Sequence, residues 1–220
     1  MIELKNIWKK YGASEVLRGL NLAAKKRDFI SIRGKSGVGK STLLRIIGLL
    51  ETPNEGNVIL FQKNVNKLND EEKSALRLHS IGFIFQFFNL IPSLTVLENI
   101  ELPLALAGAK KHERKKKALD LLNYFELEAL AQRFPETLSG GERQRVATIR
   151  SLANTPKVIL ADEPTSSLDN ENSALLMDLL KQINREKDTI VIVATTDLYE
   201  KLPTNKDYAL KEGCLQDLTF

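Results

Sequence analysis

The sequence predicts an α/β fold with a mainly parallel sheet, and three observations carry that prediction. A glycine-rich stretch, residues 34–39, stands between an apolar strand pattern and an amphipathic helix pattern. Two near-continuous apolar runs, Val158-Ile159-Leu160-Ala161 and Thr189-Ile190-Val191-Ile192-Val193, read as strands buried on both faces. A helix pattern over about residues 172–186 separates them. Apolar strands alternating with helices are what a parallel sheet covered on both sides requires.

The elements follow in chain order. Residues 2–32 hold short strand-like runs, broken at Tyr11-Gly12 and at Lys25-Lys26-Arg27-Asp28. Phe29-Ile30-Ser31-Ile32 reads as a buried strand that runs into the glycines. Residues 40–50 form an amphipathic helix that ends before Thr52-Pro53-Asn54-Glu55-Gly56, a run of helix breakers. Residues 81–85 are another short apolar strand. From Thr95 to about Leu152 the pattern is helical: Val96, Leu97, Ile100, Leu102 and Leu104 make one apolar face, and Leu119, Leu121, Leu122 and Phe125 another. The basic run 110–117 reads as the solvated start of a helix, with anionic lipid headgroups as its other reading. The order is therefore a strand-rich start, a glycine-rich loop, a helical insertion and a return to the parallel core.

Composition sets outer limits. The chain has 220 residues, 43% hydrophobic and 27% charged, enough for one sizeable domain with a buried core. No apolar run approaches the roughly 18–20 residues that span a bilayer. Met1-Ile2-Glu3-Leu4-Lys5 lacks the layout of a signal peptide, and the lone Cys214 excludes an internal disulfide framework and fits a reducing cytoplasm. A net charge of +4 does not separate nucleotide, membrane surface or nucleic acid as partners.

Gly34-Lys35-Ser36-Gly37-Val38-Gly39-Lys40-Ser41 matches the phosphate-loop pattern and lies between strand and helix, where that pattern has to lie. Its glycines let backbone N–H groups turn inward around a phosphate, and the helix start adds its positive dipole end. Lys40 is expected to reach the β- and γ-phosphates, the Ser41 hydroxyl to ligate Mg²⁺, and Thr42 to support the α-phosphate side. A second acidic element follows in Val158-Ile159-Leu160-Ala161-Asp162-Glu163. Side chains alternate along a strand, so the two carboxylates take different jobs. Asp162 is expected beside Ser41 at the Mg²⁺, and Glu163 facing the γ-phosphate to orient or deprotonate water.

Leu138-Ser139-Gly140-Gly141-Glu142-Arg143-Gln144-Arg145-Val146-Ala147 closely resembles the signature motif of ABC ATPases, and the Asp162-Glu163 strand follows it about twenty residues later. By its residues alone it is a second anion-binding helix start, with Ser139, Gly140 and Gly141 able to face a phosphate; a simple N-cap by Ser139 is the other reading. The resemblance covers about residues 2–215. It implies the ABC ATPase fold: a P-loop NTPase core, an N-terminal antiparallel β subdomain and an α-helical signature subdomain. The implied division is a single domain, with 1–86 and 156–220 as core lobe and 87–155 as helical lobe. In the family the signature, including Glu142, serves ATP bound by a partner subunit, so two complete sites require a dimer. Tyr11 resembles the aromatic that stacks on adenine, an exposed strand aromatic being the alternative. Gln86 resembles the glutamine that senses Mg²⁺ and the attacking water, and Ser167-Leu168-Asp169 the loop that crosses the dimer interface.

Residues 85–99 are similar to one branch, the lipoprotein-release and macrolide-efflux group, with a cell-division relative in the same broad set. That resemblance implies ATP and Mg²⁺ as cofactors, an identical or different second ATPase subunit, and a transmembrane permease docking near Phe87, Phe88 and Leu90. It also implies a cytoplasmic protein held on the inner face of the membrane through the permease, and no nucleic-acid partner.

The chain departs from the family pattern at Thr196, which stands where a histidine usually contacts the γ-phosphate; the two histidines, His79 and His112, lie far upstream. A hydroxyl is shorter and uncharged, and a lost γ-phosphate contact commonly costs about a hundredfold in rate. Slow turnover is the expectation. Thr148-Ile149-Arg150 is a milder departure, expected to bear on packing more than chemistry. The competing reading of function is a nucleotide-dependent clamp whose slow hydrolysis acts as a timer. A chromosome-type ATPase fits poorly, because Lys40 and Ser139 are only 99 residues apart with no sustained heptads between them.

Overall fold

Alternating apolar residues at the start of the chain fold into two long antiparallel strands, β1 (Ile2–Tyr11) and β2 (Ser14–Ala24), in a computed structural model that describes residues 1–197 and 202–218. Ile2, Leu4 and Ile7 point inward, and the alternation slips at Asn6, whose φ of 53° marks a bulge. β4 (Glu55–Leu60) and β5 (Lys63–Asn64) complete a four-stranded antiparallel sheet in the order β2-β1-β4-β5.

The second sheet has six strands in the order β10-β9-β3-β8-β7-β6. β3 (Phe29–Arg33), β6 (Ile81–Ile84), β7 (Val158–Asp162), β8 (Ile190–Thr195) and β9 (Lys206–Lys211) run parallel, and β10 (Cys214–Asp217) folds back antiparallel on β9. The expected parallel core is present, with β3 and β8 buried along their whole length.

Six helices surround the sheets among the described residues: α1 (Lys40–Ile47), α2 (Asp70–Ser80), α3 (Val96–Leu106), α4 (Lys111–Tyr124), α5 (Gly140–Leu152) and α6 (Asn170–Glu186). α1 stops three residues short of the expected end. Gly48 caps it, Leu49 turns to φ 59°, and Leu50 N–H bonds back to Arg45 O. α2 opens with a capping box between Asn69 and Glu72, as α3 does between Thr95 and Glu98. The basic run starts α4 and is mostly exposed, with Arg114 paired to Glu101 at 2.9 Å.

Burial divides the core into three clusters. One sandwiches α1, through Leu43, Ile46 and Ile47, between the antiparallel sheet and one face of the parallel sheet. Another packs Leu176, Leu180 and Ile183 of α6 on the opposite face, against Ile159, Val191 and Val193. The third lies among the helices, from Val96 to Ala153. Each fully buried aliphatic side chain contributes about 1.5–3 kcal/mol, so both faces of the parallel sheet are held firmly under the loops at its edge. Among the described residues no helix is long and apolar enough to cross a membrane.

Candidate functional site

The loop after β3 is placed by strand register. Arg33 pairs with Thr195, and Gly34 N–H donates to Thr195 O at 3.2 Å, so the glycine-rich turn begins beside the end of β8. Lys35, Ser36, Gly37 and Val38 form the turn, and α1 starts at Lys40. Gly39 precedes it at φ 112°, where a Cβ would come within 2.7 Å of Val16 Cγ1; only glycine fits there without strain. The first N–H groups of α1 have no intrahelical acceptor and face the turn, which makes an anion site. Lys40 is only 4% exposed, and its Nζ donates to Gly34 O at 2.9 Å and Lys35 O at 3.1 Å.

β7 brings its acids to the same edge. Glu163 N–H donates to Ala194 O at 2.9 Å, and the residue sits at φ 47°, a left-handed turn that aims its carboxylate at the loop. Glu163 Oε1 lies 3.4 Å from Lys40 Nζ, while the Thr196 hydroxyl donates to Glu163 Oε2 at 3.4 Å. The Ser41 hydroxyl stands beside Asp162, whose Oδ1 is buried with no hydrogen-bond partner. Burial pushes the Asp162 carboxyl above the usual carboxylate range; the Ser41 hydroxyl pulls it down and the charge of Glu163 adds to the rise. A buried, orphaned carboxylate oxygen beside a hydroxyl is a hard oxygen pair of the kind that Mg²⁺ takes. Among the described residues no cluster of three or more His, Cys, Asp or Glu offers another metal site.

Tyr11 is half-exposed at the end of β1. Its hydroxyl donates to Glu51 beside Thr42, in the first turn of α1, and Lys9 Nζ lies 5.0 Å from its ring centroid. Tyr11 and Thr42 therefore stand together at the mouth of the loop. Gln86 is exposed in the turn after β6. The pairing of Ile84 with Ala161 puts it level with Glu163, but among the described residues no hydrogen bond joins it to Ser41 or Asp162.

The signature is a helix start closed on itself. Ser139 Oγ accepts from Glu142 N–H at 3.2 Å, and a Glu142 carboxylate oxygen accepts from Ser139 N–H at 2.7 Å. The bond from the Ser139 backbone holds the Glu142 carboxyl below its ordinary range. Gly140 and Gly141 form the first turn of α5. A Cβ on Gly141 would fall 2.2 Å from Asn172 Oδ1, so the glycine also admits the first turn of α6, where Asp169 caps Asn172 N–H at 2.8 Å.

Of the three docking candidates, Phe87 is 75% exposed. The Phe88 ring lies under Arg143 at 5.3 Å, and Leu90 packs on the helical cluster. Arg150, expected to matter for packing, instead donates to Phe88 O at 2.9 Å and to Asn89 O. A cavity of about 470 Å³, lined by Phe61, Leu121, Phe125 and Pro156, lies at the opposite end of the parallel strands from this chemistry.

A family model described as ABC transporter matches residues 17–166, from β2 past the Glu163 turn. This chain belongs to the ABC transporter family. An uncharacterised ABC transporter ATP-binding protein of Methanocaldococcus jannaschii, MJ0796, is 48% identical over 97% of this chain and 94% of its own length. The lipoprotein-releasing system ATP-binding protein LolD of Aquifex aeolicus is 44% identical over 97% of this chain and 95% of that one. The macrolide export ATP-binding/permease protein MacB of Campylobacter jejuni is 44% identical over 88% of this chain, which spans 30% of its length. A dimeric, post-hydrolysis structure of the MJ0796 cassette bound to ADP and Pi superposes with a TM-score of 0.89, at 44% identity over 99% of this chain and 98% of that one. The fold is that of the ABC ATPases, the chain is an ABC-type ATPase, and its relatives include the lipoprotein-release and macrolide groups.

Two structural partners of the ABC motifs escaped the sequence reading. Asn172 reveals itself only when Gly141 is seen to abut it. The grip of Arg150 on the loop after β6 had a faint signal, in that a charged residue closes an otherwise apolar stretch of α5.

Proposed function

We propose that this chain is the ATP-hydrolysing subunit of a membrane transporter, acting as a pair of subunits that close around two ATP molecules. The observation that carries the reading is the convergence of Lys40, Glu163 and Thr196 on one edge of the sheet, with Ser41 and Asp162 beside them. Lys40 exchanges the Gly34 and Lys35 carbonyls for phosphate oxygens. Ser41 and Asp162 would hold Mg²⁺, which would supply charge neutralisation on the phosphates. Glu163 orients the attacking water and accepts its proton. Ser139, with Gly140 and Gly141, faces the partner's γ-phosphate, and Tyr11 stacks on the adenine.

Thr196 holds Glu163 through a bond of 3.4 Å, long for O–H···O and correspondingly weak. A short neutral hydroxyl in that place supports slow turnover. The lobes 1–86 with 156–220 and 87–155 move as units when the pair closes, and the exposed Phe87, with Phe88 and Leu90 around it, meets the permease that holds the chain at the membrane.

Single-turnover ATP hydrolysis at high protein concentration tests this, for the parent beside Glu163→Gln and Thr196→His. Hydrolysis should vanish in Glu163→Gln and rise about tenfold or more in Thr196→His. ATP bound without any hydrolysis would favour a nucleotide-dependent clamp, for which the same Thr196 contact speaks. A parent that binds no ATP would refute both.

A further inference from the structure

One rigid helix carries two separate tasks. α5 begins at the signature, Ser139 and Gly140, and its body holds the loop between β6 and α3 by three contacts. Gln144 Nε2 reaches Phe85 O at 3.5 Å, the Arg143 guanidinium lies over the Phe88 ring, and Arg150 donates to the carbonyls of Phe88 and Asn89. These contacts flank Gln86 and Phe87 in sequence.

The loop needs holding. Phe88 and Asn89 sit in succession at φ 51° and 50°, a left-handed conformation that asparagine tolerates but a bulky aromatic adopts only when its surroundings enforce it. The enforcing group is a costly one. Arg150 is partly withdrawn from water, its charge is disfavoured by burial, and no carboxylate lies within ion-pair distance of it among the described residues. Its guanidinium therefore depends on the two loop carbonyls, and a shift of the loop strands a part-buried cation. A fork of parallel N–H donors suits two neighbouring carbonyls in a way an ammonium does not.

We propose that Arg150 is a positioning residue that locks the 85–90 loop to the signature helix, so that movement of the signature on the partner's nucleotide carries Gln86 with it. The proposal rests on the reading of Gln86 and Ser139 given above. Arg150 touches neither nucleotide; it sets where Gln86 stands when the pair closes.

The experiment uses the full chain as parent, Arg150→Gln and Arg150→Lys. Four quantities are read: the affinity for a fluorescent ATP analogue, kcat and KM for ATP hydrolysis, and amide hydrogen exchange across residues 85–90. In Arg150→Gln, nucleotide affinity and KM should stay within about twofold of the parent. Its kcat should fall about tenfold to a hundredfold, and the 88–90 amides should exchange about tenfold faster or more while α5 keeps its protection. Arg150→Lys should recover part of both losses. A faster-exchanging loop with unchanged kcat would make the grip merely structural and overturn the proposal, as would an unchanged loop. If the parent shows no turnover, the hydrolytic reading fails separately, and exchange with and without ATP decides this one. ATP should then alter loop exchange in the parent and not in Arg150→Gln; an equal response in both would overturn the coupling.

Discussion

Ser139 caps its own helix and, on the function proposed above, also faces another subunit's phosphate, and one pair of substitutions pulls the two roles apart. Ser139→Ala removes the oxygen that accepts from Glu142 N–H but leaves the reciprocal bond from Ser139 N–H to the Glu142 carboxylate. Losing a cap costs about 0.5–2 kcal/mol, and an exposed cap with its partner bond intact belongs near 1 kcal/mol. For a chain of this length that lowers Tm by about 2–4 °C. Ser139→Asp keeps a capping oxygen and adds a negative charge at the helix start, a gain of about 0.3–1 kcal/mol that repulsion from Glu142 offsets. Its Tm should stay within about 2 °C of the parent. At the dimer interface the order reverses. A carboxylate about 4 Å from a phosphate charge, at an effective dielectric of about 20, costs about 4 kcal/mol, or roughly a thousandfold in ATP-driven pairing. The assay is thermal unfolding without nucleotide beside sedimentation with ATP, both in a Glu163→Gln background so that bound ATP persists. Ser139→Asp that pairs as the parent does would refute the placing of Ser139 at the partner's phosphate. An unchanged Tm in Ser139→Ala would refute the cap.

Two further outcomes concern stability. Burial opposes ionisation of Asp28, but Lys206 at 2.7 Å, the Lys25 N–H and Asn205 outweigh it and hold the carboxyl below its ordinary range. A depressed folded pKa gives stability that is present above the unfolded value and lost as pH falls through the folded one. Asp28→Asn should therefore cost about 1–2 kcal/mol near pH 7, with the gap to the parent closing below about pH 4 in urea titrations; a gap that widened on acidification would contradict the argument. Asn99 is fully buried, takes Ile91 N–H on its Oδ1 at 2.8 Å, and donates to the carbonyls of Ile91, Leu94 and Thr95. Asn99→Leu strands those groups and should lower Tm by about 5–10 °C, whereas a calorimetric scan matching the parent would show that water replaces them freely.

The sequence spoke clearly wherever one face of an element had one job. The buried runs of β3, β7 and β8 could only be central strands, and the phosphate loop declared itself because Gly39 and Lys40 sit where a strand gives way to a helix. α2 was silent because most of its side chains are exposed or half-buried, so its sequence carries little apolar period. β9 and β10 were silent for a different reason: as the last strands of the sheet they mix Lys, Asp and Tyr with few apolar residues. The convergence of Thr196 and Glu163 was expected from resemblance, but their hydrogen bond follows from the register of β7 against β8, which no local pattern encodes. Arg150 shows the other limit. Its sequence neighbours are core residues, and its partners are backbone carbonyls some sixty positions earlier, which leave no trace in side-chain spacing.

Lys40 has a consequence for heat and order. Its ammonium is satisfied by Gly34 and Lys35, with a carboxylate 3.4 Å away, so the loop's own backbone fixes the place of the cation. On the function proposed above, nucleotide capture is an exchange of oxygen partners around that fixed cation and not an ordering of slack chain, so little conformational entropy should be lost on binding. Calorimetry on the separated subunit should accordingly record a small negative heat-capacity change, from the burial of a base and not the folding of a segment. On the same reading the large thermal signature should belong to the later step, when two such subunits close.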